Sequence, residues 1–263
     1  MKKRQSDYLV KNYCQGSRIK LLPLFIIGSI GGFLSGVLGI GGGVVFVPLL
    51  TYFTDQDFKI NTGISSMAVV FVATTSSITY ISNGQSFSIN ILYLIFGGIL
   101  GGYLGSKLTF QLDTKTLQRI FAILLLVVSY RMISTSGYSS QYEGNIFLYL
   151  FIGVFSGILS GLLGIGGGIV RIPLLIFFGG LGNLPAQGFS LIATVPTALT
   201  AAYTKLKNDR EFAKRGSIVG ISGILGSVLG GNLAFKLPQE FLNTSFAIFL
   251  LLVSINMLVK TSR

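Results

Sequence analysis

Long uncharged apolar stretches, separated by short basic clusters, make up most of the chain. Residues 21–54, 60–106, 217–235 and 241–259 contain no Asp, Glu, Lys or Arg, and 144–204 is broken only by Arg171. A weaker stretch at 117–136 carries Arg119 and Arg131. A membrane-spanning helix needs about 20 mostly apolar residues. The 60–106 stretch is long enough for two, with a turn at Ser82-Asn83-Gly84-Gln85 between them. The pattern predicts an all-α, multi-pass protein of the cell membrane, lodged in the lipid bilayer. Its eight apolar segments are 21–53, 61–81, 89–108, 117–136, 146–178, 186–204, 216–235 and 241–259. The run after Lys20 far exceeds the roughly 7–15 residues of a signal-peptide core. Residues 1–20 therefore read as a basic cytoplasmic tail, and 260–263 as a short C-terminal tail.

The first and fifth segments are unusual. Each holds three consecutive glycines in mid-run, Gly41-Gly42-Gly43 and Gly166-Gly167-Gly168, followed at the same distance by Pro48 and Pro173. A glycine costs about 1 kcal/mol against alanine in a helix, and a proline about 3 kcal/mol. A continuous helix through 33 residues would also be about 50 Å long, against a hydrocarbon core of about 30 Å. Each segment is predicted to be a glycine-broken helix. Irregular backbone at membrane depth is tolerated only where it is buried in protein or lines a cavity.

These two segments also match each other. Residues 32–50 and 157–175 are identical at 14 of 19 positions, at an offset of 125. The same offset pairs Gly98-Ile99-Leu100-Gly101 with Gly223-Ile224-Leu225-Gly226, and Phe121-Ala122-Ile123 with Phe246-Ala247-Ile248. The chain reads as two homologous copies of one helical unit, 21–136 and 146–259, joined by a linker at 137–145. Duplication of this kind is common in transporters.

Composition narrows the chemistry. Charged residues are 11% and hydrophobic residues 51%, with mean hydropathy +0.73, where a soluble domain carries about 25% charged residues. There is no His, and Cys14 is the one cysteine. No His/Cys metal cluster, intramolecular disulfide or imidazole base is available, so no cofactor, metal or enzymatic activity is expected. None of the eight acids lies deep in an apolar run, so an intramembrane carboxylate relay for protons is not expected. The net charge of +12 reads as a topology signal and not as a nucleic-acid footprint.

Two topologies compete. If all eight segments span and the N-terminus is inside, the copies lie parallel, with 13 Lys/Arg inside and five outside. If segments one and five re-enter on their own side, the copies are inverted and the count becomes 17 against one. The positive-inside rule favours inverted repeats over parallel ones.

The duplicated L-S-G-x-L-G-I-G-G-G-x-V-x-x-P motif, with Gly188-Phe189-Ser190 downstream and Gly63-Ile64-Ser65 at the matching place in the first copy, resembles the sulfite exporter TauE/SafE family. That resemblance implies a permease or exporter for a small anion, a sulfur oxyanion or organosulfonate, with its site near the midplane between the copies. An accessory or structural membrane subunit is the alternative. The sequence leaves a homo-oligomer open.

Candidate site residues follow. Gly41, Gly42, Gly43, Gly166, Gly167 and Gly168 would present backbone amides at half-helix N-termini to an anion; close helix packing is the competing role. Arg171, whose counterpart in the first copy is Phe46, would contact the anion or snorkel to the interface. Ser65, Ser190 and Thr194 would form a polar wall, with Thr197 on the same helical face as Ser190 and Thr194, or would bond their own helix carbonyls. Lys205, Lys207, Arg210, Lys214 and Arg215 read as a solvated cytoplasmic loop.

Overall fold

The computed structural model describes residues 21–54, 56–134, 145–206 and 211–238, together with 240, 244, 247–248, 251–255 and 258–259. The N-terminal tail with Cys14, most of the 137–145 linker and the C-terminal tail lie outside the described residues. Among the described residues nine helices follow one another: α1 Leu21–Leu38, α2 Gly43–Phe53, α3 Phe58–Ser82, α4 Ile91–Thr109, α5 Thr114–Ser134, α6 Ile146–Leu163, α7 Gly168–Phe177, α8 Asn183–Leu206 and α9 Glu211–Ala234. No strand occurs among the described residues. By length and composition, α1, α3, α4, α6 and residues 212–234 of α9 can each cross a bilayer.

The molecule is apolar outside and small inside. Phe147, Phe151 and Phe155 on α6 and Ile221, Leu225 and Leu229 on α9 point outward at helical spacing, Leu225 being 76% exposed. Opposite these stripes lie glycines. On α4, a Cβ at Gly101 would come within 2.7 Å of the Ile158 nitrogen, and on α6 one at Gly157 within 2.6 Å of the Gly98 oxygen. The α1–α9 pair is built the same way, and a Cβ at Gly226 would fall 2.5 Å from the Ser29 oxygen. Lipid gives apolar side chains no reason to face inward, so close backbone approach through small residues holds such helices together.

Segments one and five double back. The C-terminal part of α1 lies at the far end of α3, where the Tyr80 hydroxyl donates to the Gly36 oxygen at 3.3 Å. The end of α2 lies at the near end of α3, where Asn61 Nδ2 donates to Thr51 Oγ1 at 3.4 Å. Helix α2 therefore runs back against α1 and α3. Helices α6 and α7 form a second hairpin. The turn after α6 sits against the start of α3, with a Cβ on Gly164 falling 2.9 Å from Thr62 Cα, and α7 leads away to the start of α8.

Helices α3 and α8 cross antiparallel between the hairpins. Tyr80 near the end of α3 donates to Gln187 near the start of α8 at 2.7 Å. Lys205 at the end of α8 donates to Thr62 Oγ1 near the start of α3 at 3.2 Å. Midway, Val69 and Thr194 meet the same two glycines, Gly41 and Gly166. Helix α5 closes one flank: Phe121 packs edge-on against Phe58 at 6.0 Å, and Asp57, the N-cap of α3, accepts from Thr114 Oγ1 at 3.1 Å. The last helical segment docks on α5 through Ser254, which donates to the Ala122 oxygen at 2.7 Å.

Candidate functional site

The two glycine-rich turns lie back to back at the centre. A Cβ at Gly43 would fall 2.5 Å from Ile165 Cα, and one at Gly168 2.5 Å from the Ile40 oxygen. Gly42 and Gly167 cap α2 and α7 with φ of 82° each, a left-handed conformation that costs an L-residue about 1–2 kcal/mol. Neither cap has a side-chain bond. The first amides of both short helices thus lack intrahelical partners and carry the positive end of the helix dipole.

Around the second turn the side chains are polar. Arg171 sits within α7 and is completely buried. Its Nε donates to Ser156 Oγ at 3.1 Å. Its Nη1 donates to the Ser190 oxygen and to Thr194 Oγ1, both at 3.1 Å. Its Nη2 makes a long contact to Thr197 Oγ1 at 3.5 Å. A Cβ on the cap glycine Gly167 would be 3.2 Å from that same Nη2, so the least-used edge of the guanidinium faces the α7 N-terminus. Thr194 Oγ1 donates onward to the Gly166 oxygen at 2.8 Å, holding the turn. The hydroxyls of Ser160 and Ser190 are buried without a partner. Snorkelling does not describe Arg171, because the α7 hairpin directs its side chain into the α6–α8 interface.

Around the first turn the matching groups are apolar. Phe46 takes the place of Arg171, and its Cε2 would lie 2.8 Å from a Cβ on Gly42. Gly31 stands opposite Phe46 where Ser156 stands opposite Arg171, and Val69 and Val72 replace Thr194 and Thr197. Ser35, like Ser160, is buried without a partner. The cap glycine of α2 therefore lies against a ring and that of α7 against a cation.

The sequence-predicted residues converge here. The six triplet glycines, Ser65, Ser190, Thr194 and Arg171 are all buried. Ser65 Oγ donates to the Gly164 oxygen at 2.7 Å and so braces the second turn. Thr75, Thr79, Thr200 and Thr204, further hydroxyls along α3 and α8, bond carbonyls of their own helices. With every group buried, the site is closed from both faces. Among the described residues no carboxylate pairs with Arg171, and no group of His, Cys, Asp and Glu could hold a metal.

Sequence reasoning missed Ser156 and Ser160, named Phe46 only as the counterpart of Arg171, and misplaced Lys205. Lys205 is not part of a solvated loop: α8 continues through Leu206 and turns the lysine inward, fully buried against α3. The readable signal was spacing, since Thr194, Thr197, Ala201 and Lys205 follow one helical face.

The family model described as sulfite exporter TauE/SafE matches residues 2–132 and 149–263. A protein of Xylella fastidiosa (strain 9a5c) named a probable membrane transporter is 28% identical over 237 residues, covering 87% of this chain and 91% of the relative. A namesake in Methanocaldococcus jannaschii is 36% identical over 169 residues, 59% of this chain and 61% of that one. One in Haemophilus influenzae is 23% identical over 271 residues, 91% and 98% respectively. With its membrane-length apolar helices, glycine-packed interior and paired broken segments, the chain belongs to the sulfite exporter TauE/SafE family, a family of multi-pass membrane transporters and not of enzymes.

Proposed function

We propose that this transporter is a permease for a small oxyanion, of the sulfur oxyanion or organosulfonate class, and carries it one ion at a time at the Arg171 cradle. The observation that carries the reading is a positive charge, completely buried and, among the described residues, held only by neutral oxygens. Burying an ion costs several kcal/mol unless an opposite charge repays it. An anion between the guanidinium and the α7 amides would supply that charge, and the Ser160 and Ser190 hydroxyls would gain an acceptor or donor. The first turn, roofed by Phe46, offers no second charged position, which supports a single central site.

Two inverted copies frame this site. Under the 125-residue offset, α1 corresponds to α6, α2 to α7, α3 to α8 and α4 to α9. The corresponding helices α3 and α8 cross antiparallel, and the α4–α6 and α1–α9 pairs exchange under the offset. Both features support a pseudo-two-fold axis in the membrane plane, as in other inverted-repeat transporters. Opening the site to one face at a time then means rocking the α1–α2 or the α6–α7 hairpin.

The test is sulfite flux in proteoliposomes with potential, pH and Na⁺ clamped separately. Flux that follows the membrane potential, at about 2.3 kcal/mol per charge per 100 mV, is expected without a proton gradient. No flux of sulfite, thiosulfate or a sulfonate from folded protein would refute the reading.

A further inference from the structure

Arg171 is not the one buried cation. Lys205 is equally inaccessible, about 16 Å from Thr194 along α8 at 1.5 Å per residue. Its Nζ reaches the Thr62 oxygen at 3.4 Å, Thr62 Oγ1 at 3.2 Å and Ser66 Oγ at 3.3 Å. All three are longer than the roughly 2.7–2.9 Å of a charge-assisted hydrogen bond. Both hydroxyls already donate elsewhere, Ser66 to the Thr62 oxygen at 2.7 Å and Thr62 to the Lys59 oxygen at 2.8 Å. Among the described residues no carboxylate faces the ammonium. Among the described residues the lysine is loosely held and meets no counter-charge.

A structural anchor does not need that charge. The position matching Lys205 is Tyr80, which ties the other end of the α3–α8 crossing to Gln187 with a neutral bond of 2.7 Å. A lysine in the same role adds a compact, strongly hydrated charge at a desolvation cost. The place of that charge is specific. Thr62, its partner, abuts Gly164, and Ser65, three residues along α3, bonds the Gly164 oxygen. Gly164 opens the turn that leads through Gly166 and Thr194 to the Arg171 cradle. The basic run Lys207, Arg210, Lys214 and Arg215 follows Lys205 in sequence, on the side assigned to the cytoplasm by charge.

We propose that the Lys205 ammonium, seated against Thr62 and Ser66 at the end of α8, forms a second anion-binding position, an inner vestibule that takes the oxyanion before it passes along α8 to Arg171. This rests on the permease reading above and adds a sidedness to it: the Lys205 end of the crossing captures anions, and the neutral Tyr80–Gln187 end does not.

The test measures sulfite flux in oriented proteoliposomes, with substrate presented to one face at a time. Lys205→Met is expected to raise half-saturation at the Lys205 face about tenfold and to leave the opposite face within twofold. Lys205→Arg, which keeps the charge, is expected to stay within threefold of wild type at both. Equal shifts at both faces, or none at either, would overturn the vestibule. If the wild type moves none of sulfite, thiosulfate and a sulfonate, the permease reading fails separately, and binding decides the vestibule. A small residual sulfite-dependent thermal stabilisation in Arg171→Gln that is lost in Arg171→Gln/Lys205→Met would support it, and none in Arg171→Gln would overturn it. Should Lys205→Met not fold, Ser66→Ala, which removes one wall of the same position, is expected to shift the Lys205 face alone by about threefold; equal or absent shifts there overturn the proposal too.

Discussion

Replacing Arg171 by glutamine should separate binding from stability, because the two respond to the charge in opposite ways. A unit charge 4 Å from a monovalent anion is worth about 4 kcal/mol at an effective dielectric of about 20. Desolvation of the anion takes back part of this, which leaves roughly 3 kcal/mol, or a loss of affinity on the order of 10²-fold. The empty protein gains and loses in similar measure. It gives up bonds from the guanidinium to Ser156, Ser190 and Thr194, each worth roughly 1.5–3 kcal/mol when one partner is charged. It also sheds a buried charge whose penalty is several kcal/mol. The anion-free protein should therefore melt close to wild type. Sulfite at 100 times the wild-type Kd should stabilise wild type by about 2.7 kcal/mol and Arg171→Gln by only about 0.4 kcal/mol. Arg171→Lys, which keeps the charge without the planar fork, should fall between them. Thermal unfolding in detergent, with and without sulfite, alongside calorimetric titration, reads all three. An Arg171→Gln protein that is strongly destabilised without anion, yet keeps the full sulfite increment, would show the guanidinium to be a packing element and refute the argument.

Gly167→Ala and Gly42→Ala should lose similar stability, about 1–2 kcal/mol from the left-handed φ, but only Gly167→Ala, whose Cβ abuts Arg171, should cut sulfite flux per folded molecule more than tenfold. Gly101→Leu forces α4 off the α6 backbone and should abolish the monodisperse folded peak in size-exclusion chromatography, whereas Gly84→Leu, with open space around it but a φ of 85°, should cost only about 1–2 kcal/mol and keep that peak. In a Cys14→Ser background, a cysteine at exposed Ser86 should react with an impermeant thiol reagent from outside and one at Lys115 from inside; labelling of Lys115 from outside would favour parallel copies.

Much of the site was legible because its residue types are costly anywhere else in a bilayer. Three consecutive glycines and an uncompensated arginine inside apolar runs stand out against the membrane's own rules, and the structure brings Gly166, Gly167, Ser190, Thr194 and Arg171 together. Residues that look ordinary stayed hidden. Ser156 and Ser160 sit in an unremarkable Ser-Gly-rich helix, and Phe46 is one apolar residue among many. Lys205 ends an apolar run next to other lysines, so its burial depended on the length of α8 and on its rotation against α3. The cross-pairing of α1 with α9 and α4 with α6 was not readable either, since glycine stripes show that helices pack closely but not which partner they choose.

That pairing sets the order of events at the ribosome. Ser29 on α1 meets Ser222 on α9 across 193 residues of chain. At about 5–20 residues per second of synthesis, α1 waits on the order of 10–40 seconds in the membrane before its partner is made. Throughout that interval its bare glycine face, with Gly28, Gly32 and Gly36, has no native surface to meet. A chain cut before Glu211, where α9 begins, would never acquire one. The nascent protein therefore depends on being sheltered until its final helices arrive, and a slowly translated or truncated message would leave α1 free to associate with the wrong helix.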